Sequence, residues 1–99
     1  MAVTVIMEFD EGRPEDYRRV NEELGIHGPG DEPEGLISHV CAIGAEGLVI
    51  VDTWESAEAA ERFGHRLAPV LEKLDLESSS QPLCLETVNV LLGATSLAH

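Results

Sequence analysis

Basic residues are scarce in this sequence: six lysines and arginines stand against nineteen aspartates and glutamates, for a formal net charge of -13. A surface this acidic repels phosphate backbones, and no stripe of basic residues offsets that repulsion. Membrane surfaces rich in anionic lipids are disfavoured for the same reason. The composition therefore argues against nucleic acid and membrane partners.

Long apolar runs and a signal sequence are also missing. No segment approaches the length of a membrane span, and the N-terminus lacks a basic segment followed by an apolar core. We therefore expect a cytoplasmic protein. The two cysteines, Cys41 and Cys84, are too few for a disulfide framework, although one disulfide remains compatible with the sequence. Each lies in an apolar run, so in a reducing compartment we predict two small buried side chains.

Aromatic residues make up only 4% of the chain, and its single tryptophan, Trp54, ends the most informative segment. Between residues 36 and 56, two apolar runs flank a turn bounded by Gly44 and Gly47, which predicts a β-hairpin. Because side chains alternate along a strand, one face of the hairpin receives four cross-strand pairs. The predicted pairs are Ile43 with Leu48, Cys41 with Ile50, His39 with Asp52, and Ile37 with Trp54.

The other face of this hairpin has a different character. It carries only small or β-branched side chains, namely Ser38, Val40, Ala42, Val49, Val51 and Thr53. Such a face is too apolar to be left in water without inviting association.

The order of predicted elements gives the fold class. We predict a strand at residues 3–9, a helix from Pro14 closed by Gly25, and a loop at 27–35. After the hairpin, Ser56 caps a helix whose inward face carries Ala60, Phe63 and Leu67, with a kink or restart at Pro69. A last strand is predicted at residues 83–92.

This βαββαβ order is typical of a ferredoxin-like α+β domain, with a four-stranded antiparallel sheet and both helices on one face. We assign the domain to residues 1–93 and a C-terminal tail to 94–99. Two helices cover only one face of the sheet, so we expect a symmetric homodimer that packs sheet against sheet.

Together with this element order, the run Trp54-Glu55-Ser56 resembles the dimeric α/β-barrel superfamily, and within it the antibiotic-biosynthesis-monooxygenase-like group. The resemblance spans nearly the whole domain. It implies a ligand cavity between sheet and helices, with Trp54 on its wall, and a barrel interior lined by the small β-branched face. It also implies chemistry that needs no tightly bound cofactor.

The known catalytic residues of that superfamily carry over only in part. Quinone-forming monooxygenases place an asparagine and a tyrosine where this chain has Ile50 and Ala60. Haem-degrading members place a tryptophan and a haem-ligating histidine where this chain has Phe63 and Lys73. The resemblance therefore does not transfer either chemistry intact.

The residues themselves point to His39 and Asp52 as a catalytic pair. Opposed side chains on antiparallel strands lie about 5 Å apart, which allows a hydrogen bond between imidazole and carboxylate. The carboxylate then fixes the tautomer and leaves the other ring nitrogen free to accept a proton. Trp54 offers a stacking wall. Four further side chains complete the predicted substrate pocket: Ile37, Cys41, Ile50 and Phe63.

Several readings of this cluster remain open. The histidine–aspartate pair is equally compatible with a structural role in the core, and Cys41 is more simply a packing residue than a nucleophile. A metal site would need a third ligand such as Glu8, whose direction the sequence does not settle, so we predict none. We expect a small monooxygenase-like enzyme acting on a hydrophobic, aromatic or enolisable molecule. The alternatives are a non-catalytic ligand-binding or accessory dimer and a purely structural dimer.

Overall fold

The computed structural model describes residues 1–93, and the predicted tail at 94–99 lies outside the described residues. Six elements follow one another along the chain: β1 (Val3–Asp10), α1 (Pro14–Leu24), β2 (Leu36–Ile43), β3 (Gly47–Trp54), α2 (Ala57–Lys73) and β4 (Leu83–Glu86). Within residues 1–93, neither helix is both long and apolar enough to cross a membrane.

The four strands form one antiparallel sheet in the order β2-β3-β1-β4. This arrangement confirms the predicted ferredoxin-like α+β fold. The longest pairing joins the two central strands, from Val3 opposite Trp54 to Asp10 opposite Gly47. Because β3 is paired on both sides, the side chains that it carries are held in a fixed frame.

The first helix begins and ends where the sequence predicts. Pro14 occupies the first turn, where its missing N–H costs no hydrogen bond, and Asp16 accepts a hydrogen bond from the backbone N–H of Arg13 at 2.9 Å. The helix stops at Gly25, whose φ of 76° lies in the left-handed region that glycine adopts without steric cost.

The second helix corrects one part of a prediction, the restart at Pro69. Ser56 caps it as expected, since its hydroxyl accepts a hydrogen bond from the N–H of Ala59 at 3.1 Å. The helix, however, runs through Pro69 without a break. Proline leaves the carbonyl four residues earlier, that of His65, without its helical partner. Both residues are exposed, so water can satisfy that carbonyl and the helix continues.

The hairpin register is confirmed at three of its four predicted pairs: Ile43 with Leu48, Cys41 with Ile50, and His39 with Asp52. The fourth prediction is wrong. Leu36, rather than Ile37, lies opposite Trp54, because a β-bulge between Leu36 and Ser38 inserts one extra residue into β2.

The last strand is shorter than predicted and ends at Glu86 rather than at residue 92. Glu86 pairs with Val3, the first residue of β1, so the antiparallel partner ends there. One further hydrogen bond, from the N–H of Thr87 to the carbonyl of Ala2 at 3.0 Å, extends the contact. Residues 88–92 continue as irregular chain because they have passed the end of the strand beside them.

The buried apolar core is small and lies between the helices and the middle of the sheet. Its members are Phe9, Leu48, Trp54, Ala59 and Leu67. Ala59 is the buried alanine of α2, whereas Ala60, predicted to face inward, is half-buried. Part of the space between the two layers is not filled by side chains.

Candidate functional site

His39 and Asp52 meet on the helix-facing side of the sheet. They are direct partners on β2 and β3, and Nδ1 of the imidazole contacts Oδ1 of the carboxylate. The Asp52 side chain is 4% exposed and the His39 side chain 29% exposed. A nearly buried carboxylate thus orients an imidazole that keeps access to the space beside it.

A third side chain, that of Tyr17, joins this pair from α1. Its hydroxyl oxygen lies 2.6 Å from Nε2 of His39, and the two rings are within 11° of parallel. At helical spacing Tyr17 shares an apolar stripe of α1 with Val20 and Leu24, and it was not among the predicted site residues. A phenol on an inward stripe must find a hydrogen-bond partner when it is covered, and that requirement is the signal that was missed.

The hydrogen-bond directions follow from the chemistry of the three groups. An ionised carboxylate only accepts, so the neutral imidazole carries its proton on Nδ1 and presents a lone pair at Nε2. The Tyr17 hydroxyl then donates to that lone pair. Burial raises the pKa of Tyr17, the Asn21 side chain partly offsets that rise, and the charge of Asp52 adds to it, so the phenol stays protonated at neutral pH.

These three residues border a cavity of about 330 Å³ between the sheet and the two helices. Its floor is the sheet, including Met7, Ile50 and Trp54, and the two helices contribute one wall each. A cavity of this size, mainly apolar with a few convergent polar groups, is typical of a small-molecule site. Its position agrees with the one that the resemblance implied.

Trp54 is the most buried aromatic residue of the cavity wall, at 2% exposure. Its ring packs against that of Phe63 from α2, with centroids 5.1 Å apart and planes tilted by 33°. Both side chains line the cavity. Because Trp54 is almost fully covered, the half-buried Phe63 ring offers the larger aromatic area for contact with a ligand.

The remaining predicted pocket residues separate into two groups. Ile37 and Ile50 line the cavity. Cys41 lies on the same face of the sheet but is not one of the lining residues. Burial raises the pKa of the Cys41 thiol, and the charge of Asp52 raises it further, so the reactive thiolate is disfavoured. The geometry makes Cys41 a packing residue beside the site.

Cys84 contradicts the prediction that both cysteines are buried. It is exposed, whereas Cys41 is half-buried, and both thiols are free. Cys84 lies on the edge strand β4, where only one neighbouring strand shields it.

The cavity wall carries acidic side chains but no lysine or arginine among its described lining residues. The three carboxylate residues on it are Asp16, Glu32 and Asp52. A carboxylated or phosphorylated ligand would therefore meet negative charge without a cation to pair with it. The lining therefore disfavours an anionic molecule.

Glu8 does not complete a metal site. Its partner on β3 is Val49, which places the Glu8 side chain on the face opposite His39 and Asp52. Within residues 1–93, no group of three or more His, Cys, Asp or Glu side chains is placed to hold a metal ion.

The loop between α1 and β2 forms the remaining part of the wall, through residues such as Ile26, His27 and Pro33. The last residue of the loop, Gly35, contacts α2 and the segment just before it. The carbonyl of Gly35 accepts a hydrogen bond from the N–H of Glu55 at 2.8 Å, and a Cβ at Gly35 would lie 2.6 Å from that of Ala59. The sequence predicted a loop here but did not show that it lines the site.

The fold can be compared with known proteins. A solved structure described as "Structure of Rv0793 from Mycobacterium tuberculosis" is similar to this chain, with a TM-score of 0.51 and 20% sequence identity. The similarity covers 96% of this chain and 100% of the other. At this identity it shows a shared fold alone. Neither a protein-family model nor a curated protein matches the sequence.

Proposed function

We propose that this protein is a small cofactor-independent enzyme that removes a proton from a flat, neutral, aromatic or enolisable molecule bound in the cavity. The observation that carries the proposal is the His39–Asp52 pair on the wall of an apolar cavity. A general base held by a buried carboxylate, beside space for a ligand, is the arrangement that proton abstraction needs.

In the proposed reaction His39 is the base, Asp52 orients it, and Trp54 with Phe63 stacks against the substrate. A C–H bond next to a carbonyl group breaks, its electron pair stays on the substrate as an enolate, and the imidazole becomes imidazolium. Asp52 stabilises the new positive charge. Dioxygen is the oxidant in a monooxygenase-like continuation, in which a CH₂ group and O₂ give a carbonyl group and water.

Three features support this substrate class. The cavity wall is mostly apolar, it offers the Trp54 and Phe63 rings for stacking, and it presents carboxylates without a lysine or arginine among the described lining residues. The monooxygenase-like part of the proposal rests on the resemblance carried by Trp54-Glu55-Ser56 and the order of elements. The similarity to Rv0793 supports the fold on which that resemblance depends.

The experiment uses 2-indanone as the probe, because it is flat, neutral and enolisable. In D₂O its α-protons exchange, and ¹H NMR follows their loss. We expect the protein to accelerate this exchange over buffer, and His39→Gln to lower the accelerated rate by at least about 100-fold. His65→Gln is the matched control, because His65 is exposed on α2 and does not line the cavity.

Two outcomes would contradict the catalytic proposal. The first is an unaltered rate in the His39→Gln variant. The second is binding of 2-indanone, seen by quenching of the single tryptophan Trp54, without any acceleration of exchange. The second result would leave a ligand-binding protein that uses the same cavity.

We further propose that a second copy of the chain covers the sheet face opposite the helices. This face exposes apolar side chains on its outer strands, including Val40 at 56% and Leu83 at 53% exposure. An apolar surface of this kind on an otherwise acidic protein favours self-association.

The assembly is tested by light scattering. We expect the wild-type protein to have twice the mass of one chain, and Val40→Asp to have the mass of one chain because it buries a charge in the interface. Ala68→Asp, on the exposed side of α2, should leave the mass unchanged. A wild-type protein with the mass of a single chain at micromolar concentration would refute the dimer.

A further inference from the structure

The structure leaves no free nitrogen on the proposed base. Nδ1 of His39 contacts Asp52, and Nε2 lies 2.6 Å from the Tyr17 hydroxyl. A ligand in the cavity therefore meets the lone pair of Nε2 only after the phenol has moved, or else through the phenol itself.

Tyr17 is placed to connect the ligand and the base. It lies on α1 and lines the cavity, whereas His39 comes from the sheet. While its O–H donates to Nε2, the phenol oxygen keeps lone pairs that accept a hydrogen bond or a proton from a ligand.

We propose that Tyr17 is a catalytic residue of this site, whose oxygen takes the proton of the ligand while its own proton passes to Nε2 of His39. The bonds balance: the C–H bond of the ligand breaks, a new O–H bond forms on Tyr17, the old O–H bond breaks, and an N–H bond forms on His39. The electron pair stays on the ligand as an enolate, Tyr17 ends as a neutral phenol, and the imidazolium is paired with Asp52.

This relay rests on the proposed function, and it refines it in one respect. The group that touches the substrate is the phenol of Tyr17. The His39 imidazole is the final proton acceptor, and Asp52 stabilises the imidazolium that results. The acidic C–H of a bound ketone must then point toward α1, where Tyr17 lies, rather than directly at the sheet.

The first test compares Tyr17→Phe with His39→Gln in the 2-indanone exchange assay. We expect Tyr17→Phe to lower the accelerated rate by at least about 10-fold, with ligand quenching of Trp54 fluorescence unchanged. Ser79→Ala is the matched control, because it removes a hydroxyl oxygen that accepts a hydrogen bond from the N–H of Asp10, and neither residue lines the cavity. An undiminished rate in Tyr17→Phe, with a lowered rate in His39→Gln, would overturn the relay and leave the proposed function standing.

A second measurement needs no variant and separates a relay from a purely structural phenol. Release of tritium from α-tritiated 2-indanone is followed in H₂O and in D₂O. In the relay a solvent-exchangeable O–H proton moves during C–H cleavage, so release should be slower in D₂O. Direct abstraction by Nε2 moves no exchangeable proton in that step, and equal rates in the two solvents would therefore refute the relay.

Discussion

Replacing Asp52 with asparagine is expected to lower the rate of 2-indanone exchange by about 10²- to 10⁴-fold while ligand binding stays nearly unchanged. The buried carboxylate accepts from Nδ1–H, which leaves the lone pair of the imidazole on Nε2, the side of Tyr17. An amide at position 52 can donate to Nδ1 instead and reverse the tautomer. It also removes the negative charge that stabilises the imidazolium.

The measurement pairs the exchange rate with a fluorescence titration of Trp54. Asp10→Asn is the matched control, because Asp10 is an exposed carboxylate at the end of β1 and does not line the cavity. Normal binding with a strongly lowered rate would assign Asp52 to the chemistry. A rate within two-fold of the wild-type protein would show that the pair is a structural contact.

The largest effect on stability is expected from Trp54→Ala. Trp54 is 2% exposed and packs on Phe63, so its truncation removes much of a small core. We expect a loss of about 3–5 kcal/mol in the free energy of unfolding, which for a domain of this size lowers the melting temperature by at least about 12 °C.

Thermal and urea unfolding measure this effect, with Ile43→Ala as the control for loss of an apolar side chain. Ile43 is 59% exposed, so its truncation should cost less than about 1 kcal/mol. Similar melting temperatures for the two variants would mean that Trp54 is not part of the core. Trp54→Phe, which keeps an aromatic ring, should recover most of the lost stability.

The hairpin could be predicted from sequence because its signals are local. Two apolar runs around a glycine-bounded turn set the register, and with it the pairing of His39 and Asp52. The bulge at Ile37 escaped prediction, since nothing in the residues beside it marks an extra position. Because of this bulge, the residue opposite Trp54 is Leu36 and not the predicted Ile37.

The other errors arose where an element depends on its neighbours. The predicted strand at 83–92 is mostly apolar, but β1 ends the ladder at Glu86. Pro69 favours a break in an isolated helix, yet α2 continues through it to Lys73, and His65, whose carbonyl loses its helical partner, is an exposed residue. Both outcomes depend on tertiary structure, namely the length of the neighbouring strand and the exposure of the helix, which a local sequence pattern does not reveal.

The candidate site was predicted on the sheet and at Phe63 of α2, and missed on α1. His39, Asp52 and Trp54 share one face through strand alternation alone. The contact between Tyr17 and His39 joins residues 22 positions apart on different elements, so it depends on how α1 packs on the sheet. The loop that completes the wall likewise takes its position from the contact of Gly35 with Ala59.

In the proposed complex a flat ligand lies beside Trp54 and the Tyr17–His39 pair, in the cavity beneath the helices. Nuclear Overhauser effects between bound 2-indanone and the protein locate it. We predict contacts from the ligand to the indole protons of Trp54 and to the ring protons of both His39 and Tyr17. Contacts confined to Val40, Val51 or Leu83, on the opposite face of the sheet, would contradict the account.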